Sequence, residues 1–504
     1  MRFRDLFKFL FGPVVFLLLF LVPPLPMVYD ASLIVGASML KAPQIALGGM
    51  IWIASWWIFE VVPLGVASLL SPLIFSLLGF VSWQDSLTSF MDSIIWVFMG
   101  GFALARAFQV WGLDRRIAFK VSTIYKGENP IFSAFFIACL PAFLLTVTGS
   151  ITASTTIVYP IVVAYLSSMG FVRGSSFAEA TMLSLAQAST AGAMLFLIST
   201  PPNLIAKRVI ENSIPGVTLT FLDWFIVGGI HAIIGLIVSW ILAFKLIGVS
   251  SVEVKFDYKL IEERVKSLEP MSRGEKLVLM VFFITISLWL FPGIFIILSN
   301  IYPQLSFIAE SFKNLIPEAF PAVLAIFLLC FIKVDDRSLL TWDDFETGID
   351  WNVVFLFGGG ISMSKALIGS GFSEWVALLM SNFSSNWIGN IWVISALSAL
   401  LAFIITYPAS NTAAALIACP LAVSLAKSVG VNPMAAVISA ALASSISSAL
   451  PSTTPPMAIV YGSGYVKLWN MFKVGMISDI IRLILLIVLE PYLVNILLFL
   501  KGLV

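Results

Sequence analysis

Charged residues are scarce in this sequence of 504 residues. Asp, Glu, Lys and Arg together make up 11% of it, whereas soluble domains carry about 25%. Hydrophobic residues make up 60%, more than a soluble fold could hide from water, so the chain is expected to be an all-α, polytopic protein of the lipid bilayer. The formal net charge of +1 gives a nucleic-acid partner no electrostatic support.

Cysteine and histidine are also rare, and their placement argues against several kinds of site. The three cysteines, Cys139, Cys330 and Cys419, stand inside apolar runs without disulfide or metal-binding spacing, so we expect small core residues. The single histidine, His231, is expected to bond to a neighbour within its apolar span rather than to relay protons. No set of carboxylates, histidines or nucleophiles converges in the apolar runs, which argues against an intramembrane enzyme.

Long apolar runs predict about eleven transmembrane helices. Two further apolar stretches, about 129–170 and 386–427, are too long for one helix and carry a Ser-x-Thr motif in the middle. Each is expected to form a re-entrant hairpin, because irregular backbone inside a membrane must be buried in protein or line a cavity. The predicted crossings are residues 9–28, 43–58, 61–80, 93–111, 178–212, 219–246, 276–297, 317–333, 352–370, 432–466 and 472–500.

The distribution of basic residues predicts the orientation in the cell membrane. With the N-terminus in the cytoplasm, 20 of the 28 Lys and Arg residues fall in cytoplasmic segments or in the span ends beside them. The C-terminus is then external. The polar segment 247–275 is predicted to be a cytoplasmic linker, and its shortness argues against a membrane sensor with a signalling domain. The remaining predicted parts are 1–42, an N-terminal helix with an external loop, and two repeats, 43–246 and 276–504.

A set of landmarks recurs at an offset near 258 residues and predicts an internal duplication. Ser150 and Ser410 each open a Ser-x-Thr motif, and each stands ten residues before a proline. Thr200 and Thr454 each open a Thr-Pro-Pro motif. Five crossings per repeat is an odd number, so the second repeat is expected to be inverted relative to the first. Inverted repeats of this kind build many secondary transporters.

The two hairpin tips and the two Thr-Pro-Pro breaks predict a binding site in the middle of the membrane. Helix N-termini suit an anion, while hydroxyl and freed carbonyl oxygens suit a hard monovalent cation. The tips contain no Lys or Arg, so an anion would be held by dipoles, neutral donors and bound cations. Glu60 and Glu318 stand where one span ends and the next begins, and we expect helix-end or inter-helix partners there rather than ligands.

At these residues the sequence resembles the divalent-anion:sodium symporter family, the carriers of dicarboxylates, citrate and sulfate. The likeness runs from about Ile51 to Leu489 and includes both Ser-x-Thr motifs, the paired glycines at 100–101 and 359–360, and the stretch 450–462. It implies sodium-coupled transport of a small divalent anion such as succinate, malate, citrate or sulfate. It also implies a homodimer in which each protomer has a fixed scaffold and a transport domain that moves as an elevator.

The resemblance further implies two sodium sites with the substrate between them. The first sodium site would use Thr146, Gly149, Ser150 and Ser199. The second would use Thr406, Ala409, Asn411, Ser452 and Thr453. The substrate would contact Ser150, Thr152, Thr200, Ser410, Asn411, Thr412, Thr454 and Pro455.

Two positions depart from the family pattern, because Ile151 and Met457 stand where the family has Asn. An isoleucine side chain has no oxygen for a cation, so the first sodium site is expected to be weakened, lost or rebuilt from Thr152 and backbone. If Asn supplies one or two contacts of about 0.5–1.5 kcal/mol each, its absence lowers affinity roughly two- to a hundredfold. An anion exchanger or a proton-coupled carrier of the same fold therefore stays open beside sodium symport.

Overall fold

Within the described residues, the computed structural model is helical apart from turns and one short antiparallel hairpin, which pairs Lys333–Val334 with Arg337–Ser338. Within the described part of the chain, eight helical segments are long and apolar enough to cross a membrane, as expected for a multi-pass membrane protein. The predicted number of eleven crossings stays a prediction, and most of the predicted linker 247–275 lies outside the described residues. The structure describes residues 3–125, 127, 129–249, 268–381 and 390–502.

The helices of the first half follow one another with short connections, and several ends show their cause. The helix Ser93–Trp111 ends at Gly112, whose φ of 72° is left-handed, and the helix Phe221–Ile247 begins at a capping box of Thr220 and Asp223. In chain order the helices are α1 (Phe3–Leu21), α2 (Val28–Val35), α3 (Ala42–Phe59), α4 (Leu64–Ser68), α5 (Leu70–Leu77), α6 (Trp83–Thr88), α7 (Ser93–Trp111), α8 (Leu113–Ser122), α9 (Pro130–Ala134), α10 (Leu140–Leu145), α11 (Ile151–Ser168), α12 (Ser176–Gly192), α13 (Pro201–Ser213) and α14 (Phe221–Ile247).

The second half opens with the longest helix so far, α15, which begins at a capping box of Ser272 and Glu275. Its helices are α15 (Arg273–Ile301), α16 (Ser306–Leu315), α17 (Ala319–Phe331), α18 (Trp342–Gly348), α19 (Trp351–Gly369), α20 (Phe372–Ser381), α21 (Ile391–Thr406), α22 (Asn411–Ser428), α23 (Met434–Ser444), α24 (Pro455–Gly462) and α25 (Leu468–Leu500). A π-helical segment, Phe135–Cys139, joins α9 to α10, and short 3₁₀ segments lie at Ser89–Met91, Thr146–Thr148 and Pro303–Leu305.

Three pairs of helices at corresponding places in the two halves have equal lengths. α7 and α19 each have 19 residues, α8 and α20 each have 10, and α11 and α22 each have 18. Both predicted hairpins are helix–turn–helix units that turn at the Ser-x-Thr motif, with α10 packed on α11 and α21 packed on α22.

Two predicted spans are wrong in detail. The span predicted at 9–28 is the helix α1, which begins at Phe3 and ends at Leu21, because Pro23, Pro24 and Pro26 cannot continue a helix. The span predicted at 61–80 is broken at Leu69 into α4 and α5. Pro72 has no N–H to offer the carbonyl of Ser68 four residues earlier, and the helix is interrupted between them.

The spans predicted at 178–212 and 432–466 are each two helices rather than one. Residues 193–200 separate α12 from α13, and residues 445–454 separate α23 from α24. The two short helices that follow these breaks cross over. α13 packs against α22 of the second hairpin, whereas α24 packs against α11 of the first hairpin. This exchange packs the helix that follows each break against the hairpin of the other half.

Candidate functional site

The two hairpin tips share the same local structure. Ser150 is the N-cap of α11, and its Oγ accepts a hydrogen bond from the backbone N–H of Ala153 at 3.1 Å. Ser410 is the N-cap of α22, and its Oγ accepts from the N–H of Ala413 at 3.2 Å. N-cap geometry explains why serine suits both positions, and it directs two helix N-termini into the core where their dipoles favour an anion.

The first tip lies against the end of α12. The hydroxyl oxygen of Thr146 is 2.9 Å from the carbonyl oxygen of Gly192 and 2.7 Å from that of Phe143. Gly149 has a φ of 88°, and a Cβ atom added to it would lie 3.3 Å from the carbonyl oxygen of Ile198. The tip therefore meets the first break through closely spaced oxygens, and glycine permits that approach. We call residues 146–152 together with 193–200 the first half-site.

The second tip repeats this arrangement and adds an amide. The hydroxyl oxygen of Thr406 is 2.6 Å from the carbonyl oxygen of Ser444 and 2.9 Å from Oδ1 of Asn411. Ser447 Oγ also donates to Asn411 Oδ1, at 3.0 Å. Ala409 is buried beside them. We call residues 406–412 together with 445–454 the second half-site. Two hydroxyl oxygens contact Asn411 Oδ1 there, whereas Ile151 has no oxygen in its side chain at the matching place.

The two Thr-Pro-Pro breaks present hydroxyl groups rather than free backbone N–H groups. Thr200 and Thr454 are buried N-caps with extended backbone. The prolines that follow them have no N–H, and the next amides, of Asn203 and Met457, donate back to the carbonyls of Thr200 and Thr454 at 3.3 and 3.1 Å. The breaks therefore offer fewer backbone donors than the first turns of α11 and α22, where N–H groups have no intrahelical acceptor. The breaks contribute hydroxyls and helix dipoles.

Other residues of the predicted site are spread from buried to exposed. Thr454 Oγ1 is buried and has no hydrogen-bond partner in the described part of the chain. Ser199 Oγ accepts from the N–H of Phe196 at 3.2 Å, and Thr453 Oγ1 donates to Leu450 O at 2.7 Å. Both hydroxyls are thus engaged within their own break. Thr412 is half-buried, and Thr152, Ser452 and Pro455 are exposed.

Asn203 belongs to the site although it was not among the predicted ligands. It is fully buried, and its Nδ2 donates to the carbonyls of Ala193 and Phe196, at 2.8 Å in both cases. These bonds close the first break into a fixed loop. The only hint in the sequence is its place one residue after Thr-Pro-Pro, because the carbonyls that it bonds come together only in the folded chain.

The structure gives partners to the polar residues that were expected to have them. His231 Nε2 is 2.9 Å from Glu490 Oε2 between α14 and α25, and both side chains are buried. Glu318 Oε2 is 2.8 Å from Lys207 Nζ, and Glu60 is the C-cap of α3 with a φ of 48°. Lys207 and Glu318 also line a cavity of about 260 Å³ beside Trp289, which lies apart from the hairpin tips.

Sequence comparisons place the chain among membrane transporters. A family model described as the sodium:sulfate symporter transmembrane region matches residues 14–500. The sodium-dependent dicarboxylate transporter SdcS of Staphylococcus saprophyticus is 28% identical over 461 residues, which cover 88% of this chain and 85% of that protein. An uncharacterized transporter of Haemophilus influenzae is 29% identical over 440 residues, which cover 86% of this chain and 88% of that protein.

Among solved structures the chain is similar to the YdaH transporter of Alcanivorax borkumensis. The TM-score is 0.48 and the sequence identity is 15%, with 83% of this chain and 88% of that chain covered.

Proposed function

The chain belongs to the sodium:sulfate symporter family, and on that premise we propose that it is a secondary active transporter that moves a small divalent anion across the membrane together with sodium. The dicarboxylates succinate and malate come first among the substrates, because a relative that matches most of the chain is a sodium-dependent dicarboxylate transporter. Citrate and sulfate have the same chemistry of small oxyanions.

One observation carries this proposal. Two tips with the same N-cap serine and the same buried threonine each lie beside the helix break of their own half, and the helix after each break packs on the hairpin of the other half. Helix N-termini without Lys or Arg can hold a dianion, and nearby positive charge strengthens that binding. Hydroxyl, carbonyl and amide oxygens around Thr406 and Asn411 suit a sodium ion that would supply it.

The proposed transport cycle follows the family pattern. The two halves form inverted repeats, a transport domain containing both half-sites moves as an elevator against a scaffold, and two protomers form a homodimer in the plasma membrane. The N-terminus is cytoplasmic and the C-terminus external. Cysteine pairs placed in the two parts and crosslinked with and without substrate would test the movement.

Uptake into proteoliposomes tests the function itself. An inward sodium gradient at constant pH is expected to drive accumulation of radiolabelled succinate or sulfate above the external concentration. An alternative of the same fold, an anion exchanger or a proton-coupled carrier, is favoured by Ile151 in the first half-site. Accumulation that does not depend on sodium would overturn sodium symport. It would establish an exchanger if it requires anion inside the vesicles, and a proton-coupled carrier if it requires a pH gradient.

A further inference from the structure

The helix α25 buries two opposite charges close together, in addition to Glu490, which contacts His231. Asp479 is completely buried and Arg482 is 3% exposed, and Oδ1 of the aspartate lies 3.5 Å from Nη1 of the arginine. Charges inside a membrane protein are costly and are found where they serve the function. The guanidinium nitrogens of Arg482 have no hydrogen-bond partner within the described residues, so the carboxylate is the better-bonded member of the pair.

The oxygens of Asp479 hold the neighbours of the second half-site. The N–H and the hydroxyl of Ser448 donate to Asp479 at 2.5 and 2.9 Å, and the Tyr407 hydroxyl donates at 2.9 Å. Ser448 follows Ser447, and Tyr407 follows Thr406, the two residues whose hydroxyls contact Asn411 Oδ1. One carboxylate therefore bonds the backbone and the hydroxyl of the residue after Ser447 and the side chain of the residue after Thr406.

A glycine one turn earlier in α25 allows this contact. A Cβ atom added to Gly475 would lie 2.3 Å from the carbonyl oxygen of Ser448 and 2.5 Å from Cα of Ala449. Gly475 and Asp479 are four residues apart and share one helix face. On this face, Gly475 lets the backbone of the second break come close to α25, and the carboxylate of Asp479 accepts hydrogen bonds from the same break.

The corresponding helix of the first half, α14, supports the first break without a charge. A Cβ atom added to Gly228 would lie 2.5 Å from the carbonyl oxygen of Met194, so the close approach is the same. The polar contact is different, because the indole N–H of Trp224 donates to Met194 O at 3.1 Å. Gly228 precedes Gly475 by 247 residues, and the same offset from Asp479 leads to Ala232.

Arg482 faces mostly groups of the first half. Its side chain lies beside Gly235, and it lines a small cavity with Met194 of the first break and His231, together with Ile446 of the second break. The ion pair is therefore oriented, with its negative end bonded to the second break and its positive end turned toward α14. A cation is favoured at the negative end and disfavoured near the positive one.

We propose that this oriented pair makes the two half-sites unequal, so that the second half-site is the main sodium site, with Asp479 as its positioning residue. The inference rests on the proposed function and deepens it, because it assigns the coupling cation to one of two related sites. Ile151 removes a ligand from the first half-site, and the pair adds support to the second. Both differences favour sodium binding at the second half-site over the first.

A matched pair of variants tests the inequality. Thr146→Val and Thr406→Val remove equivalent, fully buried hydroxyls without changing shape. The readout is the sodium concentration that half-saturates thermal stabilisation of the purified protein in detergent, with choline as the control cation. Thr406→Val is expected to raise this midpoint roughly tenfold or more, and Thr146→Val about twofold or less. Equal shifts, or a larger shift from Thr146→Val, would overturn the proposal.

The double variant Asp479→Asn with Arg482→Gln tests the positioning role. It removes both charges, so no unpaired ion is left to unfold the protein, but an amide cannot accept all three bonds. The sodium midpoint is expected to rise roughly fivefold.

Tyr407→Phe, which removes one donor and no charge, is expected to raise the sodium midpoint by about twofold. Ser239→Ala is the control, because its partner Ser478 is buried between the same two helices. Unchanged midpoints in the folded variants would overturn the positioning role.

The proposed function fails separately from this inference. Uptake experiments test the function, whereas the sodium midpoint is measured on protein that need not transport. A wild-type protein that binds sodium but accumulates no anion would overturn the transport proposal and leave the inequality measurable. A wild-type protein that sodium does not stabilise beyond choline would overturn the inference.

Discussion

At the scale of single residues, the two Ser-x-Thr motifs differ where chemistry matters. Asn411 is contacted by Thr406 and Ser447, and its amide joins the second tip to the second break. Ile151 is half-buried at the matching place and has no polar atom with which to do the same. The sequence shows this difference directly, whereas the hydroxyls that gather around Asn411 become visible only in the fold.

Replacing Asn411 with alanine is expected to reduce uptake to background. The change removes the acceptor of the buried Ser447 hydroxyl, at about 1–3 kcal/mol for an unsatisfied group, while the Thr406 hydroxyl keeps the carbonyl of Ser444. Ser410→Ala, which removes the N-cap oxygen of α22, should have a similar effect. Ser428→Ala at the other end of α22 is the control and should transport normally. Normal uptake by both tip variants would remove the second hairpin from the site.

Replacing Ile151 with asparagine is expected to strengthen sodium dependence. The new amide would stand where Asn411 stands in the second tip, and one or two added contacts would lower the sodium midpoint of uptake roughly two- to a hundredfold. The steepness of the sodium titration should rise as a further ion binds. An identical titration before and after the change would mean that the first half-site does not use this position.

At the scale of helices, the sequence predicts apolar elements better than interruptions. The span predicted at 93–111 coincides with α7, because a capping aspartate and a glycine mark its two ends. The end of α1 and the division between α4 and α5 follow from prolines that are visible in the sequence. The predicted spans ignore them because the hydrophobic runs continue past these prolines. The bonds from Asn203 to Ala193 and Phe196 could not be predicted, since no local pattern shows where a broken helix will find its partners.

Asn203→Ala is expected to loosen the first break. The Ala193 carbonyl loses this donor and the Phe196 carbonyl keeps only the N–H of Ser199, so the free energy of unfolding should fall by about 1–3 kcal/mol, and uptake should fall with it. Thermal unfolding in detergent checks the stability, and the control is Asn212→Ala, an exposed asparagine on the same helix. A variant as stable and active as the control would show that Pro201 and Pro202 alone define the break.

At the scale of the whole molecule, the two halves are joined by polar contacts as well as by the exchanged helices. Lys207 of α13 contacts Glu318 beside α17, and Arg106 of α7 contacts Asp344 of α18 at 3.4 Å. The internal duplication predicts that the two halves pack against each other. It cannot predict which charges meet, because Lys207 and Glu318 are more than a hundred residues apart and share no motif.

The contact at Asp344 predicts how stability depends on pH. Burial raises the pKa of Asp344, but hydrogen bonds from Thr341 and from Arg337 lower it by more than burial raises it. The pKa therefore lies below the ordinary value of 3.8. A lowered pKa means that the stabilisation is present above pH 3.8 and is lost as pH falls through the folded-state value. Asp344→Asn is expected to cost about 1 kcal/mol at neutral pH, because the arginine partners are partly exposed. The difference in thermal unfolding between wild type and variant should shrink as pH falls below 3.8. Asp343→Asn, at an exposed neighbour, is the control for the substitution itself. A constant difference between wild type and Asp344→Asn at all pH values would assign the loss to shape rather than charge.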